Sequence, residues 1–124
     1  MADALPGELT TRRFDAPDER RTFPMGRFEL VRLGQLTVGR AEYAPGWRWS
    51  EHVGKPMGQA SCGVAHLGYV ISGRNRVQMD DGRILDLGPG DLFAIAPGHD
   101  SWVLGDEPYV SIHFLGADEY AAGD

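Results

Sequence analysis

The chain has 124 residues and a mass of 13.6 kDa, room for one domain rather than two. Twelve basic against 18 acidic residues leave a net charge of −6. That argues against a sequence-independent nucleic-acid binder, which needs a basic field to release counterions, and gives no pull toward an anionic membrane. A single cysteine excludes an intrachain disulfide framework and points to a reducing compartment, so a cytoplasmic protein is expected.

The first 25 residues are polar, charged and broken by proline, with no apolar core of a secretory leader. They read as an arm, either disordered or laid across a neighbouring subunit. The turn formers then set the architecture. Seventeen glycines and eight prolines, about twice the usual share, are spread between short apolar runs, and no helical stripe extends over eleven residues. Strands are predicted at 27–33, 35–43, 62–72, 74–79, 83–87, 91–96, 101–104 and 108–115. Between them, 53–61 reads as a polar, glycine-rich loop. Asp81-Gly82 suits a tight hairpin, and Gly88-Pro89-Gly90 and Ala96-Pro97-Gly98 are breakers. Seven or eight short strands closing on one another make an all-β chain, a small barrel or jelly roll over 26–118, followed by a tail at 119–124 that frays from Ala121. The apolar runs are too short to cross a bilayer.

The chemistry-bearing side chains are His52, His66, His99, His113 and Cys62. A neutral imidazole offers a lone pair without a charge, and three protein ligands with an open position is the usual layout of a catalytic metal site. Taken singly, each histidine is by default a packed or surface residue, and the cysteine a small buried hydrophobe. In a strand from 62 to 72, Cys62, Val64, His66, Gly68 and Val70 share one face. The other face carries Leu67, Tyr69 and Ile71 and is expected to be covered as well. Gly68 is expected to leave space beside His66. A regular strand puts Cys62 roughly 13 Å from His66, so the cysteine joins a site only through a bulge or a loop folding back.

The motifs resemble the cupins. That pattern runs G-x5-H-x-H-x3/4-E-x6-G, then G-x5-P-x-G-x2-H-x3-N. Here Gly46, WRWSE and His52 fit the opening. Gly54 stands where the second histidine belongs. His66, followed by LGYVIS and Gly73, takes the place of the glutamate, after an inserted loop at 53–61. In GDLFAIAPGHDSW, Ala96 replaces the motif proline, Pro97 fills the free position and Gly98 matches. Ser101 occupies the motif histidine position, His99 lies two residues earlier, and Gly105 replaces the asparagine. The framework GYVISG…DDG…GPGD…PG…DEP covers about 35–115 and is similar to that of small single-domain bacterial cupins.

The resemblance implies a single jelly-roll barrel with His52, His66 and His99 at one end of its cavity. The ion would be a divalent transition metal: Zn, Fe, Ni, Cu or Mn. A set of three imidazoles lacks the cupin glutamate and would be one charge more positive, favouring an anionic ligand. His113 is a candidate fourth ligand or general base. Asp100 could orient an imidazole as an acceptor. Tyr69 is a candidate for the pocket, with Arg76, Trp47, Trp49 and Trp102 as further walls. The resemblance implies a metal-dependent enzyme acting on an oxygen-rich small molecule by dioxygenase, isomerase or lyase chemistry. A non-catalytic small-ligand sensor and a structural metal site are the alternatives. A homodimer is expected, with neither nucleic acid nor membrane as partner.

Overall fold

Alternation of inward and outward side chains fixes the strands. Nine of them are present in the computed structural model, which describes residues 9–121: β1 (Glu19–Phe23), β2 (Gly26–Leu33), β3 (Leu36–Tyr43), β4 (His66–Ser72), β5 (Arg74–Met79), β6 (Ile84–Leu87), β7 (Leu92–Ile95), β8 (His99–Leu104) and β9 (Tyr109–Leu115). In β8, His99, Ser101 and Val103 face inward and the residues between them do not. The strands form two antiparallel sheets, a six-stranded one ordered β1-β2-β3-β9-β4-β7 and a three-stranded one ordered β6-β5-β8. Their inner faces share one core: Phe28, Leu30, Val70 and Phe93 from the first meet Val77, Leu87 and Val103 from the second. Removing a side chain such as Phe28 from water contributes about 1.5–3 kcal/mol. The result is an all-β, barrel-type fold. No described helix is long and apolar enough to cross a membrane.

Two segments differ from the sequence expectation. The segment read as an arm contains β1, joined to β2 by a two-residue hairpin in which Phe23 faces Gly26. Its alternating positions are Glu19, Arg21 and Phe23, charged where a half-buried strand is usually apolar, so periodicity does not reveal it. The arm residues ahead of it lie against the chain's own sheet, with Arg12 donating to the Arg32 carbonyl and to Asp18. Residues 1–8 of the expected arm and 122–124 of the expected frayed end lie outside the described residues.

The second difference is the loop at 53–61. A wide π-type turn over Ser50–Gly54 runs into one α turn, α1 (Lys55–Met57), and stops at Gly58, whose φ of +73° is a left-handed helix cap. Trp49 and Val53 anchor this segment in the core. Gly54 cannot carry the histidine that the cupin motif places there, because a Cβ would run into the Trp49 ring and the Gln59 carbonyl.

The face of β4 carrying Leu67, Tyr69 and Ile71 was expected to be covered and is instead exposed, together with Leu92 of β7 and Phe114 of β9. The outer face of β1–β3 is of the opposite character. There Glu29, buried among the strands, accepts from Arg20 and Arg40 across the register and from Arg27 two residues back on its own strand.

Candidate metal centre

The cysteine reaches the site because the chain around it is not a regular strand. Cys62 pairs with His99 in an isolated antiparallel bridge, its N–H donating to the His99 carbonyl at 2.7 Å. Directly opposed residues project side chains to the same side. Residues 63–65 then bow outside any strand before β4 starts at His66. That bow replaces the extended separation with 3.6 Å between Cys62 Sγ and His66 Nε2.

His99 is set by a local turn. Gly98, at φ +93°, reverses the chain between β7 and β8, and the Ala96 carbonyl accepts a hydrogen bond from His99 Nδ1 at 2.8 Å. With Nδ1 carrying the proton, Nε2 keeps a free lone pair, the arrangement that outer hydrogen bonds impose on metal-binding histidines. Cys62, His66 and His99 are all buried, and their ligand atoms lie within 4.8 Å of one another. Ligands at about 2.3 Å (S) and about 2.0 Å (N) from one tetrahedral ion would stand about 3.5 Å apart, the span found between Cys62 and His66.

Burial sets the protonation of the group. It pushes the His66 imidazole down to about 2, helped by neighbouring His113 and His99. It also holds His99 below its ordinary value. Both rings are therefore neutral and able to donate lone pairs at pH 7. The Cys62 thiol is pushed up to about 11 by the same desolvation.

His113 lies beside the cluster, its ring centroid 5.2 Å from that of His66. Its backbone pairs with Gly39 on one side and Gly68 on the other. Neither glycine leaves empty space: Phe28 fills the place of a Cβ at Gly39, and Phe93 the place at Gly68. The volume expected beside His66 is therefore occupied by an aromatic ring. Phe28 and Phe93 approach the His113 ring edge-on at 5.3 and 5.6 Å, and burial pushes its imidazole down to about 4. Ser111 is hydrogen-bonded to His113 Nε2 at 3.0 Å, while Nδ1 has no protein partner.

These rings border a cavity of about 30 Å³. That is room for one or two water molecules, far below a substrate chamber of a few hundred Å³. Four of its lining residues, Trp49, His66, Asn75 and His113, each carry a buried polar atom without a protein partner. A water-sized space bordered by His66 and His99, with four unpartnered polar atoms on its lining residues, fits a bound ion and its exchangeable ligand. A thiolate with two imidazoles suits Zn, Cu, Fe or Ni and disfavours Mn, which prefers oxygen.

The remaining expected residues are placed elsewhere. His52 lies on the helical turn, its Nδ1 accepting from the Arg48 backbone N–H at 3.0 Å, in a shallow groove with Phe23, Pro24 and Met57. It does not join the cluster, because the winding of residues 50–54 buries Val53 and turns His52 away. Asp100 makes no hydrogen bond to an imidazole. It accepts from the Ser50 N–H, the Ser50 hydroxyl and Arg48, pinning the helical turn to β8. Tyr69 is on the outer face of β4, half exposed and outside the cavity. Among the expected walls only Trp49 borders the cavity. Trp47 stacks on Tyr43 at 3.7 Å, Trp102 lies under Arg48, and Arg76 pairs with Asp86. With Cys62 in place of His52, the donor set carries one negative charge when deprotonated. The extra positive charge expected of three imidazoles does not arise.

Tyr120, which the sequence placed in the tail, is buried in the core, its ring centroid 5.2 Å from that of His66. An aromatic residue alone among small and acidic residues was the available signal.

No family model matches the chain, and no curated protein matches it significantly. Solved structures do. A cupin-2 domain from Rhodospirillum rubrum superposes with a TM-score of 0.57 at 17% identity, over 88% of this chain and 68% of that one. A DUF1255 protein of unknown function from Acidithiobacillus ferrooxidans gives 0.57 at 17%, over 78% and 86%. KdgF from Halomonas sp. gives 0.52 at 23%, over 75% and 80%. The chain has the cupin fold. Its buried cluster of one cysteine and two histidines is a possible metal site within that fold.

Proposed function

We propose that the chain is a metal-binding cupin whose ion is held by Cys62, His66 and His99, with a small exogenous ligand at the remaining position. The observation that carries this is the convergence of the three ligand atoms within 4.8 Å, all from buried residues. Three ligands rather than four favour a site that exchanges a ligand over a structural one. The ion would supply Lewis acidity at that open position. The protein's part is to exclude water with the Phe28 and Phe93 rings, to hold His99 by the Ala96 carbonyl, and to release the Cys62 proton on binding.

Dioxygenase, isomerase or lyase chemistry on an oxygen-rich compound is the second reading. His113 favours it, with an unpartnered Nδ1 beside the cluster. It requires the 30 Å³ space to open. For assembly we propose a homodimer covering the apolar outer face of β4, β7 and β9.

Metal analysis of the purified protein tests the primary reading. Wild type should hold close to one transition-metal ion per chain, and His66→Ala should hold at least tenfold less with its far-UV spectrum retained. Unchanged metal content in that variant would refute the assignment.

A further inference from the structure

The Tyr120 ring packs against His66 at the edge of the metal centre. Its ring stands 5.2 Å from that of His66 and 6.1 Å from that of His113, nearly parallel to the latter at 18°, and 4.8 Å from Phe28. The phenol is buried, and its hydroxyl is hydrogen-bonded to that of Tyr43 at 2.7 Å. Tyr120 lines the same small cavity as His66, His99 and His113.

The segment that delivers this ring belongs to neither sheet. β9 ends at Leu115, and Gly116 turns the chain at φ +83° where a Cβ would strike the Ala65 carbonyl. The next five residues form turns, with no ladder bonds to a strand. Their anchors are few. Arg21 donates to the Ala117 carbonyl at 3.1 Å and to the Tyr120 carbonyl at 2.7 Å, Asp118 approaches Arg32 at 3.6 Å, and Ala117 and Tyr120 are buried. A segment held by side chains rather than by a ladder opens locally at less cost than the strands around it.

We propose that Gly116–Ala121 is a strap whose Tyr120 ring gates the centre. Seated, it limits the exogenous ligand to one or two non-hydrogen atoms. Released, it admits a larger molecule beside His66 and His113. Arg21 is the latch, so β1 and the C-terminal strap act on the same opening. This rests on the metal-centre reading for its meaning, but its test does not need the metal.

In chelator-treated, metal-free protein, the rate at which N-ethylmaleimide alkylates Cys62, whose Sγ lies 3.6 Å from Nε2 of the cavity-lining His66, reports access to the centre. Tyr120→Ala should react at least tenfold faster than wild type, and Arg21→Gln at least threefold faster. Both rates should be independent of urea at low concentration, because local opening exposes little surface. The strap is overturned if either variant reacts at the wild-type rate. It is equally overturned if the acceleration only tracks lost global stability, with a steep urea dependence. Absence of metal from the wild type would leave this outcome legible and would fail the metal reading alone.

Discussion

His52 and His66 belong to the same sequence pattern, yet only one reaches the cavity. His52 follows Trp49 on a helical turn, and burying Trp49 and Val53 leaves its ring in a shallow groove. His66 begins a strand whose inward face it shares with Val70. Cys62, which matches no motif position, enters because it pairs with His99 across an antiparallel bridge. A ligand is thus decided by the face its backbone presents, not by its distance along the chain from a motif glycine.

The comparison breaks most sharply by substitution. Cys62→Ser should weaken Zn(II) binding, followed by competition with a chromophoric chelator, at least 100-fold, about 3 kcal/mol. His52→Ala should leave it within twofold. Equal losses in the two variants would erase the distinction.

The buried imidazoles should also be sensed by pH. His113 has its folded value depressed to about 4 against 6.5 unfolded. The unfolded chain therefore binds the extra proton between these values. The stability this provides is complete above pH 6.5 and is lost as pH falls toward 4. Urea unfolding of metal-free protein at pH 7 and pH 5 should show that His113→Phe loses about 2 kcal/mol less than wild type over that interval. An unchanged difference would mean that His113 titrates freely, as an exposed ring does.

Much of the fold was legible in the sequence because glycine and proline turns, as at Asp81-Gly82 and Gly88-Pro89-Gly90, separate the short runs that form β5, β6, β7 and β8. β1 was hidden by its charged inward positions, which serve as latch and ion pairs rather than as apolar core. The site was legible in part. His66 and His99, both named from the sequence, stand in the buried cluster, but extending the strand back to residue 62 put Cys62 too far away. Local spacing carries no record that 63–65 bow outward. The cupin motif pointed to His52 because pattern position survives where backbone geometry does not, and Gly54 beside it marks the change. Tyr120 was missed because its burial depends on Arg21 and Tyr43, residues 99 and 77 positions away in the chain.

The most direct test of the centre is X-ray absorption at the metal edge of the zinc-loaded protein. The account predicts one sulfur scatterer at about 2.3 Å with nitrogen or oxygen ligands at about 2.0 Å, the sulfur disappearing in Cys62→Ser. A wild-type shell of nitrogen and oxygen alone would contradict it.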